Sequence, residues 1–273
     1  LKKFLIYSLA DRPSYLQVST MVWKTAEAFA PSGMEEDVRN LIADRIISHV
    51  DSLRIDGIGN LIATKGNSSA IAVTAHMDEV GFMITGIQED GTLRFSQVGG
   101  IDPKHLASKR VLVGKNRIQG VIGAKPIHLN KNQDSDIQYK DLFIQIGAMN
   151  QDEANACVSV GDFAIFDTDF EYNETTECVL AKALDNRLGC LILCDLICSD
   201  KVTDGTFVFA VQEETGLRGA QTFFNTHSFE VGIALDTTTA NDLPNVAPHM
   251  TVSSAGKGPV ISYADGATVY HRN

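Results

Sequence analysis

Residues 208–220 read VFAVQEETGLRGA. A β-branched and aromatic run of this kind is the signature of a strand buried on both faces, as in parallel sheets, yet it runs straight into Glu213 and Glu214. A carboxylate buried at such a place needs a cation or a proton to compensate it. Other stretches end in the same way: AIAVTA runs into His76 and Asp78, VGIALD closes on Asp236, and Asp185 opens the helical pattern of AKALDNRLG. In an open α/β sheet the carboxyl ends of the strands face one crevice, so these side chains are expected to converge. Negative charge that concentrated calls for cations, and histidine together with Asp and Glu is a ligand set suited to Zn²⁺, Co²⁺ or Mn²⁺. One glutamate can then hold a metal while its neighbour handles protons, the division of labour of metal-assisted hydrolysis. Taken singly, His76 reads as a core histidine, Asp185 as a helix cap and Asp236 as a turn former. Their joint placement at strand ends carries the argument.

The elements that must position these residues change texture twice along the chain. PSGMEEDVRNLIADRII, from Pro31, reads as an amphipathic helix capped by Ser32, with Val38, Leu41, Ile42 and Ile46 on one face. LRIDGIGNLIATKG reads as a hairpin around Gly57 and Gly59, and AIAVTAHMD as a buried strand. Over residues 79–177 the pattern becomes short strands between glycines, with NQDEANACV as the one helical stretch, which predicts a small β-barrel or sandwich. Beyond Cys178, helix (185–199), strand (206–212), helix (217–225) and strand (231–236) alternate, which implies a parallel sheet with right-handed crossovers. The expected architecture is therefore a three-layer α/β/α domain, residues 21–78 and 178–273, with a small β-barrel-like domain inserted at 79–177.

Composition narrows the function classes. A net charge of -11 and the absence of a basic run argue against a nucleic-acid or anionic-membrane surface, and no apolar run reaches the roughly 20 residues of a membrane span. Five cysteines without paired spacing point to reduced thiols in a cytoplasmic setting. Cys190, Cys194 and Cys198 fall on one helical face as small core hydrophobes. The opening LKKFLIYSLA resembles a weak signal peptide, but DRPSYLQ follows in place of a small-residue cleavage site. Residues 1–20 are read as an atypical extension ahead of Met21.

The blocks AHMDEVGFMITGI, GGIDPKHL, GVIGAKPIHL, DLFIQIGA, GDFAIFD, KALDNRLGC, VQEETGLRGA and GKGPVI, in this order, resemble the M42 family of dinuclear metallo-aminopeptidases over roughly residues 26–273. The resemblance implies two divalent metal ions per subunit, Zn or Co with Mn as a third choice. It implies His76 and Asp236 on one ion, Asp185 bridging both and Glu214 on the second. Glu213 matches the general base and Asp78 the carboxylate that fixes the tautomer of the ligand histidine. It also implies short peptides with a free N-terminus as substrates, a cis peptide between Asp185 and Asn186, and a homo-oligomer of dimers assembling to a dodecamer through residues 79–177. The family's second metal has a further histidine ligand in a C-terminal HSPVE-like segment, which nothing before Asn273 matches, His271 included. On that ground the chain as written is expected to have a weak second site, and a catalytically impaired assembly subunit is the alternative reading. A glycoside hydrolase using Glu213 and Glu214 is the weaker rival, because its carboxyls must stand about 5–9.5 Å apart across a glycosidic bond.

Overall fold

The computed structural model describes residues 15–66, 70–124, 137–176, 178–199, 201–251, 253–264 and 268–271. The expected extension over residues 1–20 lies outside them up to residue 14, as do the last five residues of the GVIGAKPIHL block. The chain opens with helices α1 (Tyr15–Glu27) and α2 (Glu36–Ile46), then strands β1 (Ser52–Ile55), β2 (Leu61–Lys65) and β3 (Ile71–His76). The barrel strands follow: β4 (Gly81–Ile87), β5 (Leu93–Val98), β6 (Arg110–Val113), β7 (Ile118–Ala124) and β8 (Leu142–Gln145), then the short helix α3 (Gln151–Asn155) and β9 (Phe163–Phe166). A ribbon of β10 (Glu171–Asn173) and β11 (Cys178–Leu180) leads back to α4 (Leu184–Cys198), β12 (Gly205–Ala210), α5 (Arg218–Phe224) and β13 (Val231–Ala234).

The main sheet has the order β1-β2-β12-β3-β13. Its strands β12, β3 and β13 are parallel, as expected, but β1 and β2 pair antiparallel and β2 is antiparallel to β12. The sheet is mixed because β1 and β2 are joined by a short turn, which makes them antiparallel neighbours, whereas parallel strands need long crossovers. Strand alternation divides the side chains between two cores. Leu61, Ala63, Phe207 and Phe209 face Val38 and Ile42 of α2 and Leu193 and Ile197 of α4. Ile62 and Val208 face Phe223 of α5 on the other side. Helices thus cover both faces of a β12 that is buried along its whole length. Cys190 and Cys194 lie in the first core as free thiols, and burial pushes the Cys190 thiol up to about 12.

Strands β4 to β9 form a closed barrel in the order β4-β5-β8-β7-β6-β9. Its interior is filled by alternate residues, Phe82 and Ile84, Leu93 and Phe95, Val111 and Val113. Phe82 meets Phe95 and Phe166 edge to face at 5.1 and 5.3 Å. Among the described residues no helix is long and apolar enough to cross a membrane.

The cap expected at Ser32 is absent. Helix α2 begins at Glu36 and makes no side-chain cap hydrogen bond. A turn from Pro31 to Met34, closed by the Met34 amide on the Pro31 carbonyl at 2.8 Å, with Gly33 at φ +93, keeps Ser32 off the helix axis. The β1–β2 turn is held by Asp56, whose Oδ1 accepts the amides of Ile58, Gly59 and Asn60 at 3.1, 3.0 and 2.9 Å. Gly59 adopts φ +112, and a Cβ there would lie 3.3 Å from the Arg39 guanidinium. Gly59→Ala is therefore expected to cost about 1–2 kcal/mol, read as a lowered urea midpoint at unchanged slope.

Candidate metal centre

Parallel pairing sets β12 beside β3 with Ala210 opposite His76, so the residues that follow each strand leave the sheet at one edge. His76 ends β3 and is 4% exposed. Glu213 and Glu214, beyond the end of β12, are half-buried. Asp236 follows β13, and Asp185 stands in the first turn of α4. The Asp185–Asn186 peptide is cis, as expected. The Asn186 side chain donates to the Leu235 carbonyl at 2.8 Å and ties the start of α4 to the segment bearing Asp236.

The structure brings all the singled-out residues together around one imidazole. His76 Nε2 lies 3.1 Å from Asp185 Oδ1, 3.7 Å from Asp236 Oδ1 and 3.8 Å from Glu213 Oε2. Two sets of ligand atoms each lie within 4.8 Å of one another: His76 with Asp185 and Asp236, and His76 with Glu213 and Glu214. On the other side of the ring, Nδ1 is 3.2 Å from the Asp78 carbonyl and 3.4 Å from Asp78 Oδ1. A carbonyl only accepts, so Nδ1 carries a hydrogen, and Nε2 is the ring nitrogen that faces the carboxylates.

Asp78 does more than face the histidine. Its Oδ1 accepts the amide of Glu213 at 3.0 Å, and its Oδ2 accepts the amide of Glu214 at 3.1 Å and the Ser32 hydroxyl at 2.5 Å. One buried carboxylate thus holds the backbone of both glutamates. Behind it, Glu79 bonds Lys182 Nζ at 2.8 and 3.0 Å and Arg187 Nη2 at 3.3 Å, and Arg187 Nε donates to the Met77 carbonyl at 2.8 Å. Sequence reasoning missed Ser32 in this role, and Glu35, Glu79, Lys182 and Arg187 altogether. The available signal was adjacency: Glu79 follows Asp78, and Lys182 and Arg187 flank Asp185.

The electrostatics fit a cation. Burial alone would lower the pKa of His76, but hydrogen bonds to Asp185, Asp236 and Asp78 outweigh it and raise it above the ordinary histidine value. Burial raises Glu213, with Asp236, Asp78 and Asp185 adding to the rise against the pull of His76. Burial likewise pushes Glu214 up to about 7. Asp78 goes the other way: burial would raise it, but its bonds to His76 and Ser32 keep it below the usual carboxylate range. Four carboxylates beside one imidazole create a demand for positive charge. Divalent cations meet the same demand with hard oxygen ligands and one imidazole nitrogen, so the donor set fits them.

A family model described as M42 glutamyl aminopeptidase matches residues 59–273. The lysyl aminopeptidase of Pyrococcus furiosus is 32% identical over 260 residues, covering 87% of this chain and 71% of that one. Among solved structures, an aminopeptidase of the archaeon Desulfurococcus kamchatkensis superposes with TM-score 0.85 at 34% identity, over 93% of this chain and 73% of that one. The Pyrococcus horikoshii TET1 peptidase, described as able to assemble into a tetrahedron or a large octahedral shell, matches with TM-score 0.72 at 36% identity, over 82% and 71% of the two chains.

Proposed function

The chain belongs to the M42 glutamyl aminopeptidase family and is a peptide-bond hydrolase, and from that premise we propose that it removes N-terminal residues from short peptides at the centre built around His76. The observation that supports this most directly is the approach of Asp185, Asp236 and Glu213 to within 3.1–3.8 Å of one buried imidazole nitrogen.

In this reading His76, Asp185 and Asp236 would hold one divalent ion and Asp185 and Glu214 a second, with Zn²⁺, Co²⁺ or Mn²⁺ as candidates. Bound there, such ions supply Lewis acidity, which acidifies water and polarises a carbonyl. The chain's own groups do the rest. Glu213, its amide fixed by Asp78 and its pKa raised by burial, takes a proton from the attacking water at its carboxylate. It then returns that proton to the nitrogen of the leaving amine. The substrate's free α-amino group would bind at this centre, which would confine cleavage to the N-terminal residue. Asp78 keeps the tautomer of His76 and the backbone of the glutamate pair.

Three measurements test the reading. N-acetylation of a peptide substrate is expected to abolish its turnover, and acetylated and free peptides cleaved at equal rates would overturn the exopeptidase assignment. β-Glucan is expected to release no reducing sugar. Asp78→Asn, which removes a charge and one of the acceptors of the paired amides, is expected to weaken metal binding about 10–100-fold, measured by competition with a chelator. Unchanged affinity would remove the role given to Asp78.

The reading assigns catalysis to residues 21–78 and 178–273 and assembly to the barrel-bearing residues 79–177. The ability of the TET1 peptidase to assemble into a tetrahedron or a large octahedral shell supports a homo-oligomer, which we propose is built from dimers. Light scattering on the purified protein checks this, and a monomer at all concentrations would exclude it.

A further inference from the structure

We propose that residues 31–35 form a clamp on the two loops that carry the centre, with Glu35 as the positioning residue that fixes the Gln212 amide and so the direction of Glu213. The inference rests on the reading of Glu213 as general base.

Glu35 is 4% exposed, a place where a carboxylate needs donors. It finds them in the backbone: Oε1 accepts the amide of Gly33 at 2.7 Å and that of Gln212 at 3.1 Å. Gln212 lies at φ +52, in the left-handed region that a residue with a side chain occupies only when its surroundings impose it. It sits immediately before Glu213. The turn beyond it closes on the Glu213 carbonyl, which accepts the amides of Gly216 and Leu217 at 2.9 Å each. Glu35 therefore grips the entrance to that turn, the point at which the strained backbone sets where Glu213 points.

The same segment reaches the other loop. The Ser32 hydroxyl donates to Asp78, the Ser32 amide donates to the Glu79 carbonyl at 3.3 Å, and the Glu79 amide donates to the Ala30 carbonyl at 3.1 Å. Asp78 in turn accepts the amides of Glu213 and Glu214. The loops after β3 and β12 are thus braced from one side by a short piece of chain whose polar side chains do not cap α2. A segment serving only the helix would place Ser32 or Glu35 on the free amides of its first turn, whereas both are spent on the loops and on the turn that approaches them.

Amide hydrogen exchange and steady-state kinetics on an aminoacyl p-nitroanilide test the clamp together. Glu35→Ala is expected to accelerate exchange at Gln212 and to lower kcat about 100-fold, the scale of a 1 Å misplacement. KM and bound metal should stay within about twofold, since uniform binding is not what is lost. Glu35→Gln keeps a carbonyl oxygen to accept both amides and is expected to restore slow exchange and most of kcat. If Glu35→Ala does not fold, Glu35→Asp, one methylene short of Gln212, carries the same comparison with a smaller loss. Slow exchange and full kcat in the alanine variant would overturn the clamp, as would a glutamine variant as impaired as alanine. Exchange is read without turnover, so the clamp can fail while Glu213 remains the base. Conversely, full activity in Glu213→Gln would remove the base and leave the exchange result standing.

Discussion

Glu213→Gln is expected to lower kcat on an aminoacyl p-nitroanilide by about 10²–10⁴-fold, the worth of a general base, and to leave the bound metal in place. Glutamine keeps the size and the backbone amide that bonds Asp78, but it cannot accept a proton at neutral pH. Glu213 is suited to the task because burial, reinforced by Asp236, Asp78 and Asp185, holds its pKa above the ordinary value against the attraction of His76. That brings the base nearer to working pH, where proton transfer is most effective. Glu214, its neighbour in sequence, is the residue proposed to hold the second ion. On that proposal Glu214→Gln is expected to lose metal as well as rate. Metal content by inductively coupled plasma mass spectrometry, measured beside kcat for both variants, separates the two roles. Equal metal loss in both would make the division between them wrong.

Much of this centre was legible because a parallel sheet leaves few alternatives. Strands that run in one direction deliver the residues after their carboxyl ends to one edge, so the endings on His76, Asp236 and the glutamate pair predict a meeting without any knowledge of distances. The barrel was legible for a similar reason: short alternating strands between glycines fill a closed interior with every second side chain, as Phe82 and Ile84 do. What could not be read is the polar bracing. Ser32, three residues before Glu35, has the look of a capping pair, and the local pattern carries no trace of Asp78, 46 positions away. Backbone amides have no sequence signature, so the grip of Asp78 on Glu213 and Glu214 is visible only once the chain is folded. The helix and strand alternation after Cys178 specifies only the parallel strands, so it carries no sign of the antiparallel β2 between β1 and β12.

Glu79→Ala is expected to destabilise the protein by about 3–5 kcal/mol, the cost of breaking a buried ion pair by removing one partner. Glu79, Lys182 and Arg187 are all buried, and Glu79 is bonded to both cations. Charged residues are rarely found inside, so this cluster is held by its own neutralisation, and without Glu79 two cations remain in the interior. They differ in what is left to them. Arg187 keeps the carbonyls of Met77, Thr25 and Ala30, whereas Lys182 keeps only the Ala28 carbonyl among its described partners. The loss should therefore centre on Lys182, and Lys182→Met in the Glu79→Ala background should recover part of it by removing the stranded charge. The pH dependence follows the same logic. Burial already lowers the pKa of Lys182 against the opposing pull of Glu79, and removing Glu79 lowers it further. Between the depressed folded value and the ordinary value of about 10.4, the unfolded chain binds more protons, so stability rises with pH across that window. The deficit of Glu79→Ala relative to the parent should shrink as pH climbs toward 10 and Lys182 folds neutral. Urea unfolding at pH 7 and pH 9.5 reads both effects. A loss below about 1 kcal/mol at pH 7, the scale of an exposed pair, would show that the cluster is solvated and that its cations never depended on Glu79.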